Sequence, residues 1–146
     1  IQERVNKEGL ADKIIFYGKR PYKEMPKFYR LADACLLTLS NKTQTGVTIP
    51  GKLQGYMAAG KPIIASINGD AADVIKEANC GICVPADDAE LLAKAMREFI
   101  CNKEKYQDCG INARKYYEKY FTLEKHIDAL NEQLKVMVRE NENLDN

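Results

Sequence analysis

The sequence predicts an α/β fold: a Rossmann-like, doubly wound parallel sheet. Short runs that are apolar on both faces recur at residues 14–17, 34–39, 62–67 and 81–84. Each is bounded by turn or polar residues, the pattern of strands buried in a parallel sheet. Longer amphipathic segments alternate with these runs, and strand–helix alternation implies crossovers that wrap helices over a sheet.

The first strand, Ile14-Ile15-Phe16-Tyr17, ends at Gly18. The second, Ala34-Cys35-Leu36-Leu37-Thr38-Leu39, runs into a polar stretch. The third, Pro62-Ile63-Ile64-Ala65-Ser66-Ile67, ends at Asn68-Gly69, and the fourth, Gly81-Ile82-Cys83-Val84, ends at Pro85. Helices are expected over 21–31, over 50–59 with Gly60 as stop and Pro62 preventing continuation, and over 71–78. Asp87 with Glu90 resembles a capping box opening a further helix with the stripe Leu91, Leu92, Ala95, Met96, Phe99 and Ile100. Tyr106, Cys109, Ala113, Tyr116 and Tyr120 mark the next helix; Thr122 caps the last one, with Leu123, Ile127, Leu130, Leu134 and Met137 as its stripe. No repeat or linker divides the chain, so residues 1–146 form one unit, with 139–146 expected to fray. Four strands are few for this architecture and residues 1–9 read as the middle of a helix, so a strand–helix–strand unit is expected upstream.

Composition excludes several classes. Formal net charge is +1 and the 22 basic residues are scattered, so no nucleic acid is expected as partner. No apolar run approaches the roughly 20 residues of a membrane span, and no signal peptide opens the chain. The five cysteines are expected to be buried, reduced thiols, which points to the cytoplasm. Cys80-Gly-Ile-Cys83 lacks the second pair or the histidines of a zinc site, His126 being the only histidine, and it enters a strand rather than opening a helix as a redox motif does. No Asp-x-Asp motif stands on a strand-end loop, so no metal is expected.

Ligands of open α/β sheets bind beyond the carboxyl ends of the strands. Three loops qualify there: Gly18-Lys19-Arg20, residues 40–49, and Asn68-Gly69-Asp70. The long polar second loop feeds a helix expected to start with Pro50 as its first residue. Ile49 has no capping side chain, which leaves the amides of Gly51, Lys52 and Leu53 in need of an acceptor. A phosphate meets that need with the helix dipole and Lys52; Thr48 or water is the alternative cap. Gly46 and Gly51 allow close approach to the backbone. Arg20 is placed to meet a phosphate or a base, or to be a surface arginine. Lys42 and Lys61 are expected to be solvated, Asp70 and Asp73 to cap and solvate their helix, and His126 to be exposed.

The stretch from Gly46-Val-Thr-Ile-Pro-Gly-Lys-Leu-Gln-Gly-Tyr-Met to Ala58-Ala-Gly-Lys-Pro-Ile-Ile-Ala-Ser66 resembles the donor-site signature of the retaining glycosyltransferases of group 1, also called family 4. Residues 9–18, the Tyr29-Arg-Leu-Ala-Asp33 passage, residues 80–88 and Tyr120-Phe-Thr-Leu-Glu124 are similar to other parts of the second lobe of this two-lobed, GT-B fold. The resemblance implies a nucleotide-sugar donor, often UDP-linked, bound on this lobe. Its sugar is passed with retention to a saccharide or lipid-linked acceptor on the absent N-terminal lobe. No metal cofactor is implied, because positive charge and helix-end amides stabilise the leaving diphosphate. Gly46, Val47, Thr48, Gly51 and Lys52 would lie along the diphosphate and sugar, Leu53 and Gln54 near the ribose, and Arg20 near the base or phosphates. The two glutamates usual in the family are replaced by Val47 and Gly55; Lys52-Leu-Gln-Gly-Tyr56 resembles the Lys-Leu-Gln-x-Tyr form of some polysaccharide-synthesis members, which implies Gln54 as the substitute for ribose recognition. The family's catalytic Arg/Lys pair falls upstream of Ile1, so this chain is expected to be inactive alone. Surface-polysaccharide synthesis at the inner face of a membrane, with peripheral association, is the implied setting. A non-catalytic subunit of a split transferase and a sugar-nucleotide epimerase lobe are the alternatives. An unpaired sheet edge invites dimerisation, and the last helix is expected to expose Leu130 and Leu134.

Overall fold

The computed structural model describes residues 1–42 and 48–144, the last six of these by backbone alone. In chain order the elements are α1 (Gln2–Lys7), α2 (Met25–Leu31), β1 (Cys35–Thr38), α3 (Gly51–Ala58), β2 (Ile63–Ser66), α4 (Asp70–Glu77), β3 (Gly81–Val84), α5 (Ala89–Cys101), α6 (Cys109–Tyr120) and α7 (Leu123–Leu144). The three strands are parallel in the order β1-β2-β3, with Cys35, Ile63 and Gly81 in register.

Every residue of β2 is buried because the strand has a neighbour on each edge and helices on both faces. Alternation sorts its side chains. Ile63 and Ala65 join Leu37 and Ile67 against Leu53 and Met57 of α3, Val74 and Ile75 of α4, and Ala113 of α6. Ile64 points the other way, with Ile82 and Val84, onto Leu92, Ala95 and Phe99 of α5. Helices therefore cover both faces, as a doubly wound sheet requires. Each fully buried Leu, Ile or Met in these clusters contributes roughly 1.5–3 kcal/mol.

Residues 14–17 correct the sequence expectation. They form no strand, and Ile15 is 68% exposed. Apolar composition favours burial, but a strand also needs a neighbour for its N–H and C=O groups. No described strand pairs with this segment; Tyr17 instead packs its ring on Phe28, 5.0 Å between centroids. The expected 21–31 helix opens with a 3-10 turn, Tyr22–Glu24, before α2.

Gly60 ends α3. At φ +64 it takes the left-handed conformation, and Lys61 N–H reaches back to the Tyr56 carbonyl at 3.2 Å. Against that turn lies Gly110 of α6, where a Cβ would run into the Gly60 carbonyl oxygen. The α3–α6 crossing thus depends on a position without a side chain. Lys61 is not merely solvated: its ammonium donates to the Ala32 carbonyl at 2.9 Å and to Arg30 at 3.4 Å, closing the C-terminal end of α2. Thr122 behaves as expected, its hydroxyl accepting from Lys125 N–H at 3.3 Å. The backbone of α7 is helical through Leu144. Leu130 and Leu134 are half exposed on it. Among the described residues no helix is long and apolar enough to cross a membrane.

The cysteines divide. Cys35, Cys80 and Cys109 are buried and Cys83 is half-buried, but Cys101, on the outer side of α5, is exposed, correcting the expectation that all are buried. Burial pushes the Cys80 thiol up to about 12 and the Cys35 thiol up to about 11, so both stay protonated and unreactive at neutral pH. A thiol-exchange assay on the native chain is expected to show a single fast thiol, lost in Cys101→Ser, with the other four reacting only on unfolding. Fast release of two or more thiols from native protein would contradict this packing.

Candidate functional site

Three parallel strands deliver their following loops to one edge of the sheet, and side chains stitch those loops together. Leu39 N–H donates to the Ser66 carbonyl and Ile67 N–H to the Val84 carbonyl, each at 3.1 Å, extending the ladder past the strand ends. The Ser66 hydroxyl donates to the Pro85 carbonyl at 2.9 Å, and Ala86 N–H to the Asn68 side-chain oxygen at 3.2 Å. One oxygen of Asp87 accepts from the Ser40 hydroxyl at 3.1 Å and from Asn41 N–H at 2.9 Å. Lys42 N–H completes the turn on the Ser40 hydroxyl at 3.2 Å. A cleft of about 300 Å³ lies over these strand ends, walled by Thr38, Ser40, Ser66, Asp87 and Asp88.

Helix α3 starts at this edge. Its N-cap is Pro50 (φ −70, ψ 138), so proline precedes the first helical residue instead of occupying it, and among the described residues no side chain caps the helix. Leu53 N–H turns back to the Pro50 carbonyl at 2.9 Å. That amide is therefore not in need of a partner, contrary to the sequence expectation. The Leu53 side chain is wholly buried among the core residues, because positions 53 and 57 form the stripe that α3 lays on the sheet. It offers a ligand no side-chain surface. Thr48, Gly51 and Lys52 are exposed and Gln54 half-buried around the helix start. Gly46 and Val47 lie outside the described residues.

Arg20 is exposed and donates its Nε–H to the Tyr17 carbonyl at 2.9 Å. No hydrogen bond or ion pair among the described residues joins it to Thr48, Lys52 or Gln54. Gly55, where the resemblance expects a glutamate, faces Tyr29: a Cβ there would stand 3.5 Å from the tyrosine hydroxyl. Neither Asp70 nor Asp87 caps as expected. Gly69 is the N-cap of α4, leaving Asp70 in its first turn, and Asp73 pairs with Lys76 at 3.5 Å. Asp88 caps α5 through Leu91 N–H at 2.9 Å, freeing Asp87 for the Ser40 loop. Asn68 lies in one of the three loops named from sequence, whereas the involvement of Ser66 and Asp87 was missed; two adjacent aspartates before one helix, which needs only one cap, were the available signal. Among the described residues no three His, Cys, Asp or Glu side chains converge as a metal group.

The sequence pattern of the family described as "Glycosyl transferases group 1" matches residues 1–116, well over half of the chain. This chain belongs to the group 1 glycosyl transferases. It is 27% identical over 124 residues to sucrose-phosphate synthase 4 of Arabidopsis thaliana, covering 76% of this chain and 11% of that protein. To the lipopolysaccharide core biosynthesis mannosyltransferase LpsB of Rhizobium meliloti (strain 1021) it is 24% identical over 139 residues, covering 89% and 36%. The sucrose-phosphate synthase structure from Thermosynechococcus elongatus superposes with a TM-score of 0.74 at 22% identity, covering 93% of this chain and 34% of that one. This group 1 chain therefore shares that α/β fold and spans between about a tenth and about a third of the lengths of these relatives.

Proposed function

We propose that this chain is the donor-binding lobe of a retaining glycosyltransferase, holding a nucleotide sugar, UDP-linked in the first instance, for transfer to a saccharide or lipid-linked acceptor held by another lobe. One observation carries the reading. In a group 1 chain, α3 opens at the carboxyl edge of a parallel sheet with no side-chain cap from the described residues, and Lys52 stands exposed in its first turn. Such a helix end favours an anion through its amides and its dipole. The leaving nucleoside diphosphate is that anion, and charge stabilisation without a metal is the mechanism that fits. Gly51 and Lys52 serve the diphosphate, Thr48 the sugar or phosphate, Gln54 the ribose, and Arg20 the base or phosphates. Leu53 serves by anchoring α3 in the core. The donor base needs its own comparison, since one relative is named a GDP-mannose-dependent mannosyltransferase, from Mycobacterium tuberculosis.

The test is an amide NMR titration of the chain with UDP and GDP, with AMP as control. Shifts concentrated at Thr48, Gly51, Lys52, Gln54 and Arg20, and stronger with one diphosphate than with AMP, are expected. Shifts spread elsewhere, or none at millimolar nucleotide, would overturn this lobe as a nucleotide holder on its own.

A further inference from the structure

Asp87 is the feature of this edge that no cap, core or ladder requires. Its backbone sits at φ +62, a left-handed conformation that costs any residue with a Cβ and that Asp and Asn tolerate best. The neighbouring Asp88 already caps α5. What Asp87 does with its side chain is reach across 46 and 47 residues of sequence to Asn41 N–H and the Ser40 hydroxyl. The β3–α5 turn that carries it is itself held: Asn68 takes Ala86 N–H, and the Ser66 hydroxyl binds the Pro85 carbonyl. Asp87 is therefore a short arm on a braced turn, gripping the start of the chain that runs from β1 to α3.

We propose that Asp87 is a positioning residue for the diphosphate site at the N-terminus of α3. By fixing Ser40, Asn41 and Lys42 before ligand arrives, it lowers the ordering that binding must supply; preorganised loops bind more tightly for that reason. The carboxylate itself stays with Ser40 and Asn41 and does not touch the phosphates. This inference rests on the donor-binding reading above.

Asp87→Gly is the informative variant, because glycine accepts φ +62 without strain and the fold loses nothing at that backbone. Asp87→Asn is its companion: it tolerates the same conformation and keeps one side-chain oxygen for Asn41 N–H. In Asp87→Gly the melting temperature is expected to hold or rise, amide exchange at Asn41 and Lys42 to speed up about threefold or more, and the dissociation constant for UDP or GDP to rise about threefold to tenfold. Asp87→Asn should recover most of both losses. Unchanged exchange at Asn41, or wild-type affinity in Asp87→Gly, would overturn the positioning role alone. A wild-type chain that binds neither nucleotide would overturn the donor-binding reading, and this inference with it.

Discussion

Replacing Gly110 by alanine is expected to destabilise the chain by about 2–3 kcal/mol, although alanine is the better helix former. The added methyl would enter the space of the Gly60 carbonyl, with the Pro62 side chain 3.5 Å away. Backbone cannot swing aside as a long side chain can, so α6 must lift off the α3 turn. Ala113, completely buried one turn further along α6, would lose its packing with it. Gly55→Ala is the internal control. It too is a helix glycine, but its Cβ would meet only the Tyr29 hydroxyl, at the ordinary contact distance of 3.5 Å. Helix propensity then acts unopposed and should stabilise by about 0.5–1 kcal/mol. Urea unfolding followed by circular dichroism reads both. Changes of the same sign in the two variants would mean that the Gly60–Gly110 approach does not govern the α3–α6 crossing.

Lys52→Ala and Gly51→Pro are expected to weaken UDP or GDP binding by about ten- to a hundredfold, the scale of one hydrogen bond to a charged group, while leaving the fold intact. Lys52 is exposed and makes no described ion pair, so its removal takes a cation from the ligand and little from the protein. Proline at position 51 enters the first helical residue, where proline is favoured, behind a Pro50 whose ψ of 138 suits a following proline. It deletes one amide donor and leaves the helix start otherwise formed. Titration calorimetry gives the affinities and a thermal melt the stability. If either variant keeps wild-type affinity at unchanged melting temperature, the diphosphate does not sit on this helix end.

Much of this was legible because the signals were local. The α3 stop at Gly60, the Thr122 cap and the Leu92, Ala95 and Phe99 face of α5 follow from side-chain periodicity and from residues that end helices, whereas Leu91, Met96 and Ile100 of the expected α5 stripe are exposed. The Gly46-to-Ser66 stretch was specific enough to point to the family that residues 1–116 then matched. Asp87 and Asp88 show where such signals stop. Either aspartate suits the capping position, and the choice falls to Asp88 because Asp87 has Ser40 and Asn41 across the strand ends to hold. Lys61 is a similar case: nothing nearby in sequence tells that the end of α2 lies within reach of its ammonium. Leu53 belonged to two patterns at once, the signature and the core stripe, and burial assigns its side chain to the core.

By itself the sequence determined the class of fold, the three strands that pair, the helices between them and the family, because alternation, periodicity and turn residues act over a few positions of chain. Only the tertiary structure decided that residues 14–17 are not a strand, that Gly110 must be bare and that Asp87 grips the β1–α3 connection. Each of these depends on what another part of the chain brings alongside: a strand to pair with, a carbonyl to avoid, a hydroxyl and an amide to accept from.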